Sequence, residues 1–287
     1  MSSVGCIVKS KMGWLQGGGK WLNFYWILNM SKVLEIHLEW KYTPSNYLEE
    51  PIEILNSRLS LKIFNGIAIA HIEPETFENN SSISDELTKI IENRLYAVQV
   101  LTHKEFSLGK PSRSDLRQDG KRNIFTEVPS LAIGVSLGIP DLLLTDKDGN
   151  TITDTKKDRL EKQKWFAETV DKYRAIDSTL DQLLKSYQMS VIDPGDELVH
   201  LYEIRDALQE EFGNRKKAFK ELGITDKEWK VIGYLADNQP LEQGRHRGKF
   251  VGVLRAAERS ELDAARKSAA DFIEKYLIYL EKNCKSK

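Results

Sequence analysis

Cysteine is nearly absent from this chain of 287 residues. Cys6 and Cys284 are the only two, one near each end. That number rules out a disulfide framework, and neither thiol sits at metal-ligand spacing, so free thiols in a reducing cytoplasm are expected. Long apolar runs are also missing. The longest near the start, Trp21 to Leu28, is too short to span a bilayer, and Gly17-Gly18-Gly19-Lys20 interrupts the core that a signal peptide would need. No sign of charge dominates: 42 basic against 43 acidic residues leave a formal net charge of -1. Bulk attraction to polyanions is therefore excluded, and any nucleic-acid surface must be a local patch.

Enough apolar residues remain, at 40%, to build a sizeable core, and the length suits about two domains. Residues 1–29 read as a disordered or misannotated extension, with the working chain starting at Met30. From there the pattern has period two. Leu34, Ile36, Leu38 and Trp40 alternate with polar neighbours as in a half-buried strand. Ile52 to Leu55, Leu59 to Phe64 and Ile67 to Ile72 read as strands, with Asn65-Gly66 as a tight hairpin turn. One helix follows, capped at Ser84 and carrying Leu87, Ile90, Ile91 and Leu95. Strands resume at Tyr96 to Thr102, near Asn123 to Thr126 and at Ala132 to Leu137. A last hairpin, Leu142 to Thr145 with Thr151 to Thr153, turns at Asp148-Gly149-Asn150.

Beyond this point the period becomes 3.6. A long helix is expected over Lys156 to Ser190, with Ile176 on its apolar face. Asp193-Pro194 opens the next helix, and Gly213 closes it. A short helix covers Lys216 to Leu222. Thr225 caps another, with Glu228 in the capping-box position, and the last begins near Ser260. The fold expected is α+β: a β-rich domain at 30–153 followed by an all-α antiparallel helical bundle at 154–287.

The candidate ligand-binding residues lie in the glycine-flanked run Gly244-Arg245-His246-Arg247-Gly248-Lys249, with Arg255 beyond it. Guanidinium groups grip phosphate bidentately, and a glycine-flanked loop leaves them free to orient. Arg245, His246, Arg247, Lys249 and Arg255 are therefore assigned to a phosphate-bearing ligand (RNA, DNA or a nucleotide) or to an acidic protein partner. Pairing of these cations with acids on neighbouring helices is the competing reading. Ala218 to Thr225 has the outline of a helix-turn-helix, but Asp226, Glu228 and Asp237 would face phosphates unfavourably. Asp141, Asp154 and Lys156 have a spacing similar to the PD-(D/E)xK nucleases, which supplies the rival reading of a metal-dependent nuclease. An assembly protein, a homo-oligomer through helical faces, is a third. No cofactor is expected. His200 has no second histidine or cysteine at metal spacing, and no metal site is expected either.

Glu197 to Leu208, the loop Gly244 to Lys249 and the helix Glu261 to Leu280 resemble helical domains of uncharacterised prokaryotic proteins, some of them similar to the HEPN superfamily. The resemblance covers about residues 156–284 and implies a role in defence or stress. Catalytic members of that superfamily are RNases with an Arg four to six residues before a His. None of His37, His71, His103, His200 and His246 has an arginine at that distance, so no catalytic residue carries over. The resemblance therefore does not imply RNase activity, and the reading favoured, on the basic loop, is a two-domain binding protein without catalysis.

Overall fold

The computed structural model describes residues 32–120, 122–125, 141–145 and 151–283. The chain is α+β: an antiparallel sheet region comes first and a helical region follows. The first four strands are β1 (Val33–Thr43), β2 (Ile52–Leu55), β3 (Leu59–Phe64) and β4 (Ile67–Ile72). Asn65 and Gly66 both take positive φ, 48° and 83°, so the hairpin between β3 and β4 turns in two residues, as the Asn-Gly pair demands. A Cβ on Gly66 would also stand 2.9 Å from that of Ser45. Helices α1 (Pro74–Asn79) and α2 (Ile83–Thr102) come next, then β5 (Ser107–Leu108), β6 (Ser112–Arg117) and β7 (Arg122–Phe125). The strand order is β2-β3-β4-β1-β6-β7, with β5 also paired to β1.

The inner face of this sheet carries Leu38, Trp40, Tyr42, Leu61, Ile63, Ala68, Ala70 and Ile72, all buried against Leu87, Ile91 and Leu95 of α2. Trp40 Nε1 donates to Thr88 Oγ1 at 2.9 Å, which satisfies the indole where the two layers meet. Tyr96 to Thr102, expected as a strand, is the second half of α2. Its near-continuous apolar run reflects burial on two sides, not alternation: Leu95, Tyr96 and Val98 join the sheet core, while Ala97 and Val100 join the helical one. β6 escaped the sequence reading because Ser-Arg-Ser-Asp-Leu-Arg has one apolar residue. The expected strand Ala132 to Leu137 and the turn Asp148-Gly149-Asn150 lie outside the described residues, as does the extension 1–29.

A two-stranded ribbon, β8 (Leu143–Thr145) with β9 (Thr151–Asp154), leads into the helical region. The expected long helix is two helices, α3 (Thr155–Tyr173) and α4 (Ser178–Ile192). Asp177 breaks it: its carboxylate accepts from Leu180 N at 2.7 Å and caps α4, and Ile176 faces solvent instead of the core. The next helix, α5 (Glu197–Glu211), starts after the Pro194-Gly195 turn. α6 (Arg215–Leu222) ends at Gly223, and α7 (Asp226–Gly233) carries the expected Thr225–Glu228 capping box. A π-helical turn, Tyr234–Asn238, continues α7, and α8 (Arg259–Asn283) closes the chain. Phe166, Leu184, Leu201, Trp229, Phe272 and Tyr276 are among the buried residues of this second core. No helix among the described residues is long and apolar enough to cross a membrane.

Candidate functional site

The helical region gathers its polar chemistry where α5 meets the π-turn and the 244–256 loop. On α5, Tyr202 and Arg205 are one turn apart and share a face. The π-turn leaves the Ala236 carbonyl free of a regular helical partner, and it accepts from Arg245 N at 2.8 Å. Gly244 is needed for that approach, because a Cβ there would stand 3.0 Å from the Ala236 oxygen. The loop is thereby pinned so that the Arg245 guanidinium lies over the Tyr202 ring, 3.8 Å from its centre. The Arg205 guanidinium is also 3.8 Å from that ring, and 5.7 Å from the Trp229 ring. Arg205 donates to the Tyr202 hydroxyl as well. Gly233 makes room for it, since a Cβ at that position would run into Arg205 Nη1.

Two like charges sharing one ring need compensation, and Asp206 and Asp237 provide it at a distance. Arg245 Nη1 is 3.7 Å from both Asp206 Oδ2 and Asp237 Oδ1, and Arg205 Nη2 is 4.0 Å from Asp237 Oδ2. These separations exceed hydrogen-bond length. Arg205 Nε and Asp237 Oδ1 are buried without a hydrogen-bond partner. Burial raises the Asp206 carboxyl above its usual range, against the pull of Arg245 and Arg205. Burial also raises the Tyr202 phenol. Tyr202 is buried and Asp206 half-exposed, and the two guanidiniums held over the Tyr202 ring keep donors that no carboxylate takes at hydrogen-bond length.

The loop residues singled out in the sequence divide in two. Arg245 belongs to this cluster, and His246 Nε2 lies 3.5 Å from Asp237 Oδ1. Arg247 pairs with Asp196 and donates Nε to the Gly244 carbonyl at 3.1 Å. Arg255 makes two 2.7 Å hydrogen bonds to Glu261. Lys249 is exposed over the Phe250 ring. Arg205 and Tyr202 were missed as site residues, because nothing in their own helix distinguishes them from an amphipathic surface. The nearby signal was Gly233, a glycine inside a helical pattern where helix propensity alone would favour alanine.

The nuclease-like trio is engaged elsewhere. Asp154 caps α3 by accepting from Lys157 N at 3.0 Å. Asp141 accepts from Arg159 Nη1 at 2.8 Å, and Lys156 pairs with Glu50 at 2.8 Å. The helix-turn-helix outline is a packed corner in which Arg215 and Lys230 both neutralise Asp226.

The sheet's outer face holds a second cluster. Glu35 and His37 lie on one side of β1, and the β1–β4 register places His71 directly opposite His37. Spacing along the chain did not reveal this group, because long-range strand pairing assembles it. No family model matches the chain, and no curated protein or solved structure matches it either.

Proposed function

We propose that this chain is a binding protein whose helical region captures a phosphate-bearing ligand, a nucleotide or the end of a nucleic-acid strand, between Arg205 and Arg245. The carrying observation is that both guanidinium groups stand 3.8 Å from the Tyr202 ring, yet neither reaches a carboxylate at hydrogen-bond length. Elsewhere in the fold, arginines close tight forks on acids, as Arg266 does on Glu197 at 2.6 and 2.8 Å. A phosphate would complete the fork that the aspartates leave open. Tyr234, Val251 and Val253 are exposed on the adjoining turn and loop, apolar surface that a base could cover. A compact ligand is favoured over a long duplex. A groove of about 480 Å³ beside Asp206 is lined by Glu203, Glu210 and Glu211, which would repel further phosphates.

The test is direct binding of mono-, di- and triphosphate nucleotides, short single-stranded RNA and DNA, and duplex DNA across a salt titration. Binding of nucleotides or strand ends with a shallow salt slope, that of about two phosphate contacts, supports the reading. A steep slope with preference for duplex would contradict it, as would no binding at all.

A further inference from the structure

The outer face of the sheet, remote in sequence from the arginine pair, carries a chemistry of its own. Glu35 and His37 are two residues apart on β1 and so project to the same side. His71 on β4 is the register partner of His37, and the two imidazole rings are 4.2 Å apart between centres. His37 Nε2 lies 2.6 Å from Glu35 Oε2, and His71 Nδ1 lies 3.3 Å from Glu35 Oε1. One ligand atom from each residue falls within 4.8 Å of the others. The β1–β6 pairing slips between Val33 and Glu35, so a bulge at Leu34 sets the aim of Glu35.

We propose that Glu35, His37 and His71 form a binding site for a divalent transition metal ion of the zinc class, with at least one coordination position open to solvent. Tetrahedral zinc holds nitrogen and oxygen donors at about 2.0–2.2 Å, which puts neighbouring ligand atoms roughly 3.3 Å apart. The 3.3 Å His71–Glu35 separation already meets that figure, and the 2.6 Å His37–Glu35 contact has only to open by a small rotation. Two imidazoles and one carboxylate are borderline donors, which select Zn²⁺ or its neighbours over Mg²⁺ and Ca²⁺. The burial gradient fits an open site. The His37 side chain is 11% exposed, whereas those of His71 and Glu35 are 41% and 36% exposed, so solvent reaches the side where a fourth ligand would stand. Three protein ligands with an open position is the arrangement in which a metal binds and acidifies a water molecule. Glu35 Oε2 is hydrogen-bonded to His37 Nε2, and its Oε1 faces His71 Nδ1.

The experiment uses the full chain freed of any affinity tag. Calorimetric titration with Zn²⁺ is run beside visible spectroscopy of the Co²⁺-loaded protein. The expected result is one Zn²⁺ per chain and a Co²⁺ ligand-field band that Zn²⁺ abolishes and excess Mg²⁺ leaves in place. His71→Ala, at a half-exposed position, should keep the wild-type circular dichroism and lose at least 10- to 100-fold in Zn²⁺ affinity, since even outer partners of a metal ligand cost that much. Glu35→Gln, which keeps the shape of the side chain, should weaken binding similarly, and Arg245→Ala should leave it unchanged. The proposal is overturned if the wild type takes up neither ion, if Mg²⁺ displaces Co²⁺, or if His71→Ala and Glu35→Gln bind as the wild type does.

Discussion

Arg205 and Arg245 reach the same aromatic ring from different parts of the chain, one from the middle of α5 and one from a loop forty residues later, and each guanidinium stands 3.8 Å from the Tyr202 ring centre. Cation–π attraction holds each of them, and is worth more where water is excluded. It does not use up the N–H donors, which lie in the guanidinium plane. A surface salt bridge would have consumed those donors for little stability. The pair is therefore built so that charge is concentrated and hydrogen-bonding capacity is kept.

Gly233 is the backbone condition for that pair. Its φ of -62° is ordinary for a helix, so alanine is allowed there by backbone conformation and would normally be favoured. Gly233→Ala should leave the unfolding free energy within about 1 kcal/mol of wild type, because helix propensity offsets the local displacement. The Arg205 guanidinium must move, however, and nucleotide affinity should fall about 10-fold, close to the loss of one charge-assisted hydrogen bond. Chemical denaturation and calorimetry on the same preparation check both halves.

Two acid-side transitions should separate by pH. His103, at the end of α2, is pushed down to about 4 by burial first and by Arg266 second. Glu197 Oε1 is 3.5 Å from it, but both oxygens of that carboxylate already accept from Arg266. The folded state therefore keeps His103 neutral while the unfolded chain takes up a proton. Stability falls as pH drops from about 6.5 towards 4, and His103→Gln should flatten that limb. Glu228 is lowered to about 2 by hydrogen bonds from the Thr225 backbone, Lys275 and the Thr225 hydroxyl. Its contribution is present above 4.5 and is lost as pH falls towards 2, so Glu228→Gln should flatten only that lower window. Denaturant midpoints measured across pH 2 to 7 distinguish the two variants.

The sheet and the helices should unfold together. Helix α2 gives Leu95 and Val98 to the core against the sheet and Ala97 and Val100 to the core of the helical region. Arg94–Asp171 at 2.8 Å and Arg174–Asn93 at 2.7 Å tie it further to α3 and the residue that follows it. Leu95→Ala in one core and Leu184→Ala in the other should each cost about 2–5 kcal/mol and shift one common transition. Two resolved transitions, with only one moving in each variant, would refute the shared helix.

Sequence patterning carried the fold furthest where one face is wet. β1 to β4, the Asn65-Gly66 turn and the Thr225–Glu228 capping box were legible because alternation, turn chemistry and capping are local signals. It failed where burial is two-sided, as in the second half of α2, and where a single cap overrides a long period, as at Asp177. For the proposed site, glycine-flanked basic residues pointed to the loop that carries Arg245, but gave no sign of Arg205 on α5. Whether Arg245 is under-used and Arg247 is tied down depends on Asp196, Asp206 and Asp237, which reach the loop only through tertiary packing. The Glu35–His37–His71 group depends on strand register and leaves no spacing to read.

The most direct measurement compares nucleotide affinity across single alanine variants of the loop and its helix partner. Arg245→Ala and Arg205→Ala should each weaken binding by about 10- to 150-fold, the cost of losing charge-assisted hydrogen bonds. Arg247→Ala and Arg255→Ala, whose guanidiniums are held by Asp196 and Glu261, should change it by less than about 3-fold, as surface pairs do. Equal losses at all four positions, or losses at Arg247 and Arg255 alone, would contradict a site built on the two guanidiniums that share Tyr202.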